Sequence, residues 1–311
     1  MVADLWLGSD QVLPTESEGT VVDAEVEFEL ALDSRSHLGE GPVWDEGAGQ
    51  LVWVNLIRGE VHRFDPATGD DSHVSVGTPV GAAALRESGG YVLAIENGFA
   101  TLSDDGELTQ LVDLGLGPAH RANDGKCDRF GRFWAGTNAY DFSAGEFTLW
   151  RLDPDGSVHA AVTGLTLSNG LDWSPDDSTM YLIDTMAGTL LAYDFDGDAG
   201  TLSGGRTLVS FPEGDLPDGM TVDAEGYLWV AMYSGGEVRR FRPDGEIDAR
   251  IPVPVANPSS CAFGGPDLRD LYVTTGHQLD DPSVLGPSSH LGSLFRCRPG
   301  VAGLPAGRYA G

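Results

Sequence analysis

Along the chain, short runs of alternating or continuous apolar residues sit between clusters of glycine, proline and aspartate, and a helical 3.6-residue period is hard to find. The runs Glu25–Leu32, Leu51–Asn55, Tyr91–Ile95 and Leu271–Thr275 have the length and turn-bounded pattern of β-strands. The pattern predicts an all-β chain.

The strands also repeat. A turn followed by a strand carrying an aromatic residue recurs as Gly49-Gln-Leu-Val-Trp53, Gly90-Tyr-Val-Leu93, Gly131-Arg-Phe-Trp134, Ser178-Thr-Met-Tyr181, Gly226-Tyr-Leu-Trp229 and Arg269-Asp-Leu-Tyr272. The spacing, roughly 40 to 48 residues, is that of a four-stranded propeller blade. A second segment, rich in Pro, Asp and Gly, follows each copy, as in Arg63-Phe-Asp-Pro-Ala-Thr-Gly69, Arg151-Leu-Asp-Pro-Asp-Gly156 and Arg296-Cys-Arg-Pro-Gly300. It reads as the hairpin turn between a blade's outer strands. Six copies of both segments predict a six-bladed β-propeller around a central channel. The strand Glu25–Leu32 has no partners of its own and is expected to close the ring as an outer strand of the last blade. Residues 1–20 read as an irregular arm and 21–311 as one propeller domain.

In such a fold the first strand of each blade lines the channel, so residues entering it face the channel mouth. Aligned by repeat, those positions hold Gly39-Glu40-Gly41 in blade one, Arg121-Ala122-Asn123-Asp124-Gly125 in blade three, Ser168-Asn169-Gly170 in blade four and Pro217-Asp218-Gly219 in blade five. Blades two and six offer Val80-Gly81 and Ser259-Ser260, without an acid. Asx-Gly alone is a turn signal, but its recurrence at one phase makes Glu40, Asn123, Asp124, Asn169 and Asp218 converge on the axis. Carboxylates gathered there repel one another unless a cation neutralises them, and an all-oxygen set suits a hard divalent ion.

Composition narrows the partners. Forty-eight acidic residues against eighteen basic ones give a net charge of −30, and Lys126 is the only lysine. That balance excludes sequence-independent nucleic-acid binding and an anionic membrane surface as partners. Most of the acids fall in hairpin turns and are expected to face solvent. Cys127, Cys261 and Cys297 form no paired motif, which argues against a disulfide framework. With no basic, apolar leader and no long apolar run, a cytoplasmic location is expected.

The motifs Gly39-Glu-Gly-Pro-Val-Trp44, Arg121-Ala-Asn-Asp-Gly-Lys126, Gly131-Arg-Phe-Trp-Ala-Gly-Thr137, Ser168-Asn-Gly-Leu-Asp-Trp173, Pro217-Asp-Gly-Met220 and Tyr309-Ala-Gly311 resemble the regucalcin (senescence marker protein 30)/gluconolactonase/luciferin-regenerating enzyme-like family. The likeness runs from about residue 33 to residue 311, in order and through every blade, and the family's fold is likewise a six-bladed propeller. The resemblance implies one divalent metal ion, of Ca, Zn, Mn, Mg or Fe(II) type, held by Glu40, Asn169 and Asp218. It also implies substrate contacts from Arg121 and Asn123. The family usually carries a further substrate-contacting glutamate after the Ala-Gly-Thr element; here the chain reads Asn138-Ala-Tyr-Asp141, and Asp141 is the shorter stand-in.

The implied reaction is metal-dependent hydrolysis of a sugar lactone to the aldonic acid, with Asp218 as ligand and general base and Arg121 steadying the tetrahedral intermediate. No Gly-x-Ser-x-Gly elbow is present, which argues against an acyl-enzyme. A propeller hydrolase of phosphoesters or organophosphates and a non-catalytic metal- or ligand-binding propeller stand as alternatives. His120 reads as a surface or packing residue, Lys126 as a solvated or ion-paired one, and Trp44, Trp53, Trp134, Trp173 and Trp229 as inter-blade core.

Overall fold

The computed structural model describes residues 26–141, 143, 147–277 and 289–311. Its first strand, β1 (Glu29–Leu32), is separated from the blades that follow it in sequence. Blade one comprises β2 (Gly39–Asp45), β3 (Gln50–Asn55), β4 (Glu60–Asp65) and β5 (Asp70–Ser75). Blade two comprises β6 (Val80–Leu85), β7 (Tyr91–Ile95), β8 (Gly98–Leu102) and β9 (Leu108–Asp113). Blade three comprises β10 (His120–Cys127), β11 (Phe133–Ala139), β12 (Phe147–Leu152) and β13 (Val158–Leu165). Blade four comprises β14 (Ser168–Trp173), β15 (Thr179–Asp184), β16 (Thr189–Asp196) and β17 (Thr201–Ser210). Blade five comprises β18 (Leu216–Val222), β19 (Leu228–Tyr233), β20 (Glu237–Phe241) and β21 (Ile247–Pro252).

Blade six takes only three strands from the chain's end, β22 (Pro258–Gly264), β23 (Asp270–Thr275) and β24 (Leu294–Cys297). Its fourth is β1, which pairs antiparallel with β24 at Glu29↔Arg296 and Leu30↔Phe295. The ring is therefore closed by the N-terminal strand, as its lack of sequence-local partners predicts. The part of the predicted strand before Val26 and the predicted arm 1–20 lie outside the described residues.

The innermost strands β2, β6, β10, β14, β18 and β22 touch in turn and meet again around the ring. They are buried on both faces, whereas outer strands such as β5 and β9 are largely exposed. This gradient explains why inner strands read as apolar or small-residue runs and outer ones as polar. The hydrophobic core is divided accordingly, each cluster lying between adjacent blades. Trp134 and Leu149 of blade three pack with Trp173 and Leu182 of blade four, and Trp44 and Trp53 of blade one pack with Tyr272 of blade six. All five recurrent tryptophans are buried.

The Pro-Asp-Gly segments form the expected turns between third and fourth strands. In blade three Gly156 donates to Asp153 O at 2.9 Å and sits at φ 84°, a left-handed position that glycine enters without a Cβ penalty. The sixth copy differs. Arg296–Gly300 overlaps the end of β24 and leads to the C-terminal segment, because the outer strand of that blade comes from the other end of the chain.

That segment crosses the lower end of the channel. Gly303 bridges to Asp223 of blade five, Tyr309 donates from its backbone to Leu85 O at 2.8 Å, and Ala310 donates to Gly131 O at 3.0 Å. Residues 304–307 line an axial cavity together with residues of the inner strands, among them Asp124, Lys126 and Asp172.

Several acids expected to face solvent are interior. Asp128 and Asp223 are buried, each accepting two backbone N–H groups of the following turn and an indole N–H, from Trp134 and Trp229, at 2.9 Å. The spacing Asp-x-x-Gly-x-x-Trp carries that role, and the bonds satisfy donors that would otherwise be costly to bury.

Candidate active site

In every blade the pairing between the first and second strands shifts register near the start of the inner strand: between Glu40 and Val43, Val80 and Ala82, Ala122 and Gly125, Ser168 and Leu171, Pro217 and Met220, and Pro258 and Ser260. A bulge places an extra residue out of the ladder and re-aims side chains. The candidate residues occupy these segments: Glu40 is the last paired residue before its bulge, while Asn123, Asp124, Asn169 and Asp218 lie within theirs. The glycines that follow serve close approach between blades. A Cβ on Gly170 would lie 2.6 Å from Asp218 O, and one on Gly81 would lie 2.2 Å from Asn123 O.

All of these side chains are withdrawn from solvent, with relative exposures of 6% for Glu40, 7% for Arg121, 5% for Asn123, 7% for Asp124, 5% for Asn169 and 7% for Asp218. A directed chain of hydrogen bonds joins three blades. Arg121 Nη1 donates to Asn123 Oδ1 at 2.5 Å, and Asn123 Nδ2 donates to Ser168 O at 2.8 Å and to Asn169 Oδ1 at 2.6 Å. Asn169 Nδ2 donates to Thr185 Oγ1 at 2.7 Å, and the Thr185 hydroxyl donates to Pro217 O at 2.7 Å. The polarity is fixed from both ends, because a carbonyl only accepts and the single threonine proton is committed to one. Asn169 therefore keeps its amide oxygen on the side of Asn123, with one lone pair still free. Thr185 escapes sequence reading because it lies in the turn after β15 rather than at the shared repeat phase.

The carboxylates are poorly satisfied. Glu40 accepts one backbone N–H, from Gly41 at 3.3 Å, and among the described residues Asp218 accepts none. Burial pushes the Glu40 carboxyl well above the usual range, with the charges of Asp218 and Asp124 adding to the effect. Burial likewise raises Asp218, with Asp124 adding and Arg121 opposing. Burial also pushes Asp124 up to about 6, against the pull of Lys126 and a backbone N–H from Gly125. The Arg121 guanidinium is drawn downward by burial, and the charges of Tyr140, Glu40 and Asp218 oppose that. These mutual influences place Glu40, Arg121, Asp124 and Asp218 in one electrostatic group.

Such a group fits a cation: two desolvated carboxylates short of donors, beside an amide oxygen whose orientation is fixed. Among the described residues, no cluster of three or more His, Cys, Asp or Glu side chains is arranged to hold a metal ion. The fit therefore depends on Asn169 beside Glu40 and Asp218.

Arg121 makes both of its hydrogen bonds through Nη1, to Asn123 and to Ala122 O at 3.0 Å, and its buried Nε has no partner. Its guanidinium lies 5.8 Å from the centre of the Tyr140 ring. Asp141, the next residue, is exposed and accepts from Ser143 N at 3.2 Å. Tyr140, and not Asp141, is thus the residue that covers Arg121. Sequence reading singled out neither Tyr140 nor its partner Glu96, since no motif joins them.

His120 packs against Phe147 and has its Nδ1 2.6 Å from Leu116 O, in keeping with a packing role. Lys126 donates to Asp172 Oδ2 at 2.8 Å and to Met220 O at 3.0 Å.

The fold and this group define a class: six-bladed propellers with a buried, acidic and oxygen-rich cluster near the start of their inner strands. Residues 38–277 match the family described as the SMP-30/Gluconolactonase/LRE-like region. The chain belongs to that family. It is 38% identical over 298 residues to regucalcin of Xenopus laevis, covering 93% of this chain and 100% of the relative. It is 35% identical over 289 residues to the Bacillus subtilis (strain 168) protein named "Putative sugar lactone lactonase YvrE", covering 91% of this chain and 98% of that one. Among solved structures it is similar to a calcium-binding protein, regucalcin, from Agrobacterium tumefaciens, with a TM-score of 0.85, 27% identity, and coverage of 90% and 96%. At the level of the family, these relatives support a sugar-lactone hydrolase.

Proposed function

We propose that this protein opens a sugar lactone to its hydroxy acid with the help of a divalent cation held by Glu40, Asn169 and Asp218. The observation that carries the reading is the pair of donor-poor buried carboxylates, Glu40 and Asp218, beside an arginine with an unused buried N–H. When bound, the cation supplies Lewis acidity toward the ester carbonyl and eases ionisation of water.

The chain's own groups do the rest. Water adds to the carbonyl carbon, and Asp218 takes its proton as general base. The negative charge that develops on the carbonyl oxygen is met by the free N–H of Arg121, held in place by Asn123. Collapse of the tetrahedral intermediate breaks the ring C–O bond, and the proton held on Asp218 passes to the departing alkoxide. Burial raises the proton affinity of Asp218 and so favours the step in which it takes the proton from water.

A second reading, cation binding without turnover, draws on the calcium-binding name of the Agrobacterium relative. A panel of aldonolactones, assayed after chelation and after add-back of Ca, Mn, Zn, Mg or Fe(II), separates the two. Lactone opening that disappears on chelation and returns with one of these ions supports the hydrolase. Full activity after complete removal overturns cation dependence, and tight cation binding with no lactone opened favours the second reading. Asp218→Ala is expected to lower turnover by about 10²–10⁴-fold while the circular-dichroism spectrum is retained.

A further inference from the structure

Beside Arg121 lies a second polar pair with a more specific meaning. Glu96 lies in the turn between β7 and β8, and its backbone is clamped there: its N–H donates to Pro79 O at 3.0 Å, and its carbonyl accepts from Ala122 N at 3.1 Å, the residue after Arg121. Its side chain is thereby delivered from blade two to the edge of blade three. Oε1 accepts the Tyr140 hydroxyl at 2.9 Å. Among the described residues Oε2 has only the Thr78 hydroxyl, at 3.4 Å. Tyr140 is fixed at both ends, by that bond and by a backbone bond from its N–H to Ala119 O at 3.0 Å, yet the residue stays 42% exposed.

A large aromatic side chain held open to solvent beside a buried arginine with an unpartnered Nε calls for a ligand. We infer that Tyr140 and Glu96 form the subsite that selects a polyhydroxylated lactone ring: the Tyr140 ring covers an apolar C–H face, and Glu96 Oε2 accepts a ring hydroxyl. The inference rests on the lactonase reading and deepens it. An unsubstituted lactone has no hydroxyl to return to that carboxylate once water is displaced, so it binds less well.

The test compares kcat and KM for glucono-1,5-lactone and for unsubstituted δ-valerolactone in the wild type, Glu96→Gln, Tyr140→Phe and Tyr140→Ala. The wild type is expected to prefer the hydroxylated lactone. In Glu96→Gln and Tyr140→Ala the preference falls on the order of tenfold, mainly through KM, as for loss of a hydrogen bond to a charged group. Tyr140→Phe, which keeps the ring and loses the tether, falls less than Tyr140→Ala. A preference ratio within twofold of wild type in both Glu96→Gln and Tyr140→Ala overturns the inference.

If the wild type opens neither lactone, the lactonase reading fails by itself, and binding then decides the subsite. Isothermal titration with 1,5-anhydroglucitol and with tetrahydropyran uses rings that cannot open. Binding of the polyol alone, weakened in Glu96→Gln, supports the subsite. Equal binding by wild type and Glu96→Gln, or no binding of the polyol to wild type, overturns it.

Discussion

Asn123 of blade three donates a 2.6 Å hydrogen bond to the side-chain oxygen of Asn169 of blade four. Two amides from neighbouring blades thereby fix each other, and the orientation passes on through Thr185 to the carbonyl that precedes Asp218. The candidate ligands are held by a path of side chains rather than by their own strands alone.

Thr185→Val tests that path. It removes the acceptor of Asn169 Nδ2 and frees the amide to turn its oxygen away from the axis. Affinity for Ca²⁺, measured by calorimetric titration, is expected to fall about 10–100-fold, as for other residues that orient ligands. The variant also leaves two buried polar groups unpaired and is expected to lose about 1–3 kcal/mol of stability in a denaturant melt. Unchanged affinity would separate Asn169 from the ligand set.

Asp124 sets a pH dependence whose sign follows from its raised pKa. Its carboxyl titrates at about 6 in the folded chain and near 3.8 when unfolded, so between those values the folded state holds more proton. Its contribution to stability is therefore full below about 4 and is lost as the pH rises through about 6. In cation-free protein, Asp124→Asn is expected to flatten this part of the melting-temperature profile. A wild-type minus variant difference that does not change between pH 4 and pH 7 would refute the assignment.

Lys126 ties three inner strands together at the axial cavity. Its ammonium, on β10, meets Asp172 of β14 and the Met220 carbonyl of β18. Lys126→Met leaves the Asp172 carboxylate, which also accepts from Val222 N at 3.0 Å, without its countercharge. Because the lysine side chain is 27% exposed, the loss is expected to be modest, about 1–2 kcal/mol. Asp172→Asn in the Lys126→Met background should recover part of it, as read in urea melts.

The blade count, the ring closure and the positions of Glu40, Asn123, Asn169 and Asp218 were legible in the chain for one reason. Each repeat must bury the same face against its neighbour, so the same residue types recur at the same phase. Residues outside that phase were not legible. Thr185 and Glu96 sit in turns, and Tyr140 follows a motif without belonging to it; nothing in their spacing joins them to the site. The burial of Asp128 and Asp223 was not legible from charge, because each replaces water with two backbone N–H groups and an indole.

By itself, then, the sequence determined the six-bladed ring and its axial acid set, because periodic burial leaves a periodic record. Tertiary structure alone decided which oxygens are starved of donors, which way the Asn169 amide faces, and that Tyr140, tethered to Glu96, covers Arg121. Those outcomes depend on contacts between blades far apart in the chain, where a bulge re-aims one side chain and a neighbouring blade supplies its partner.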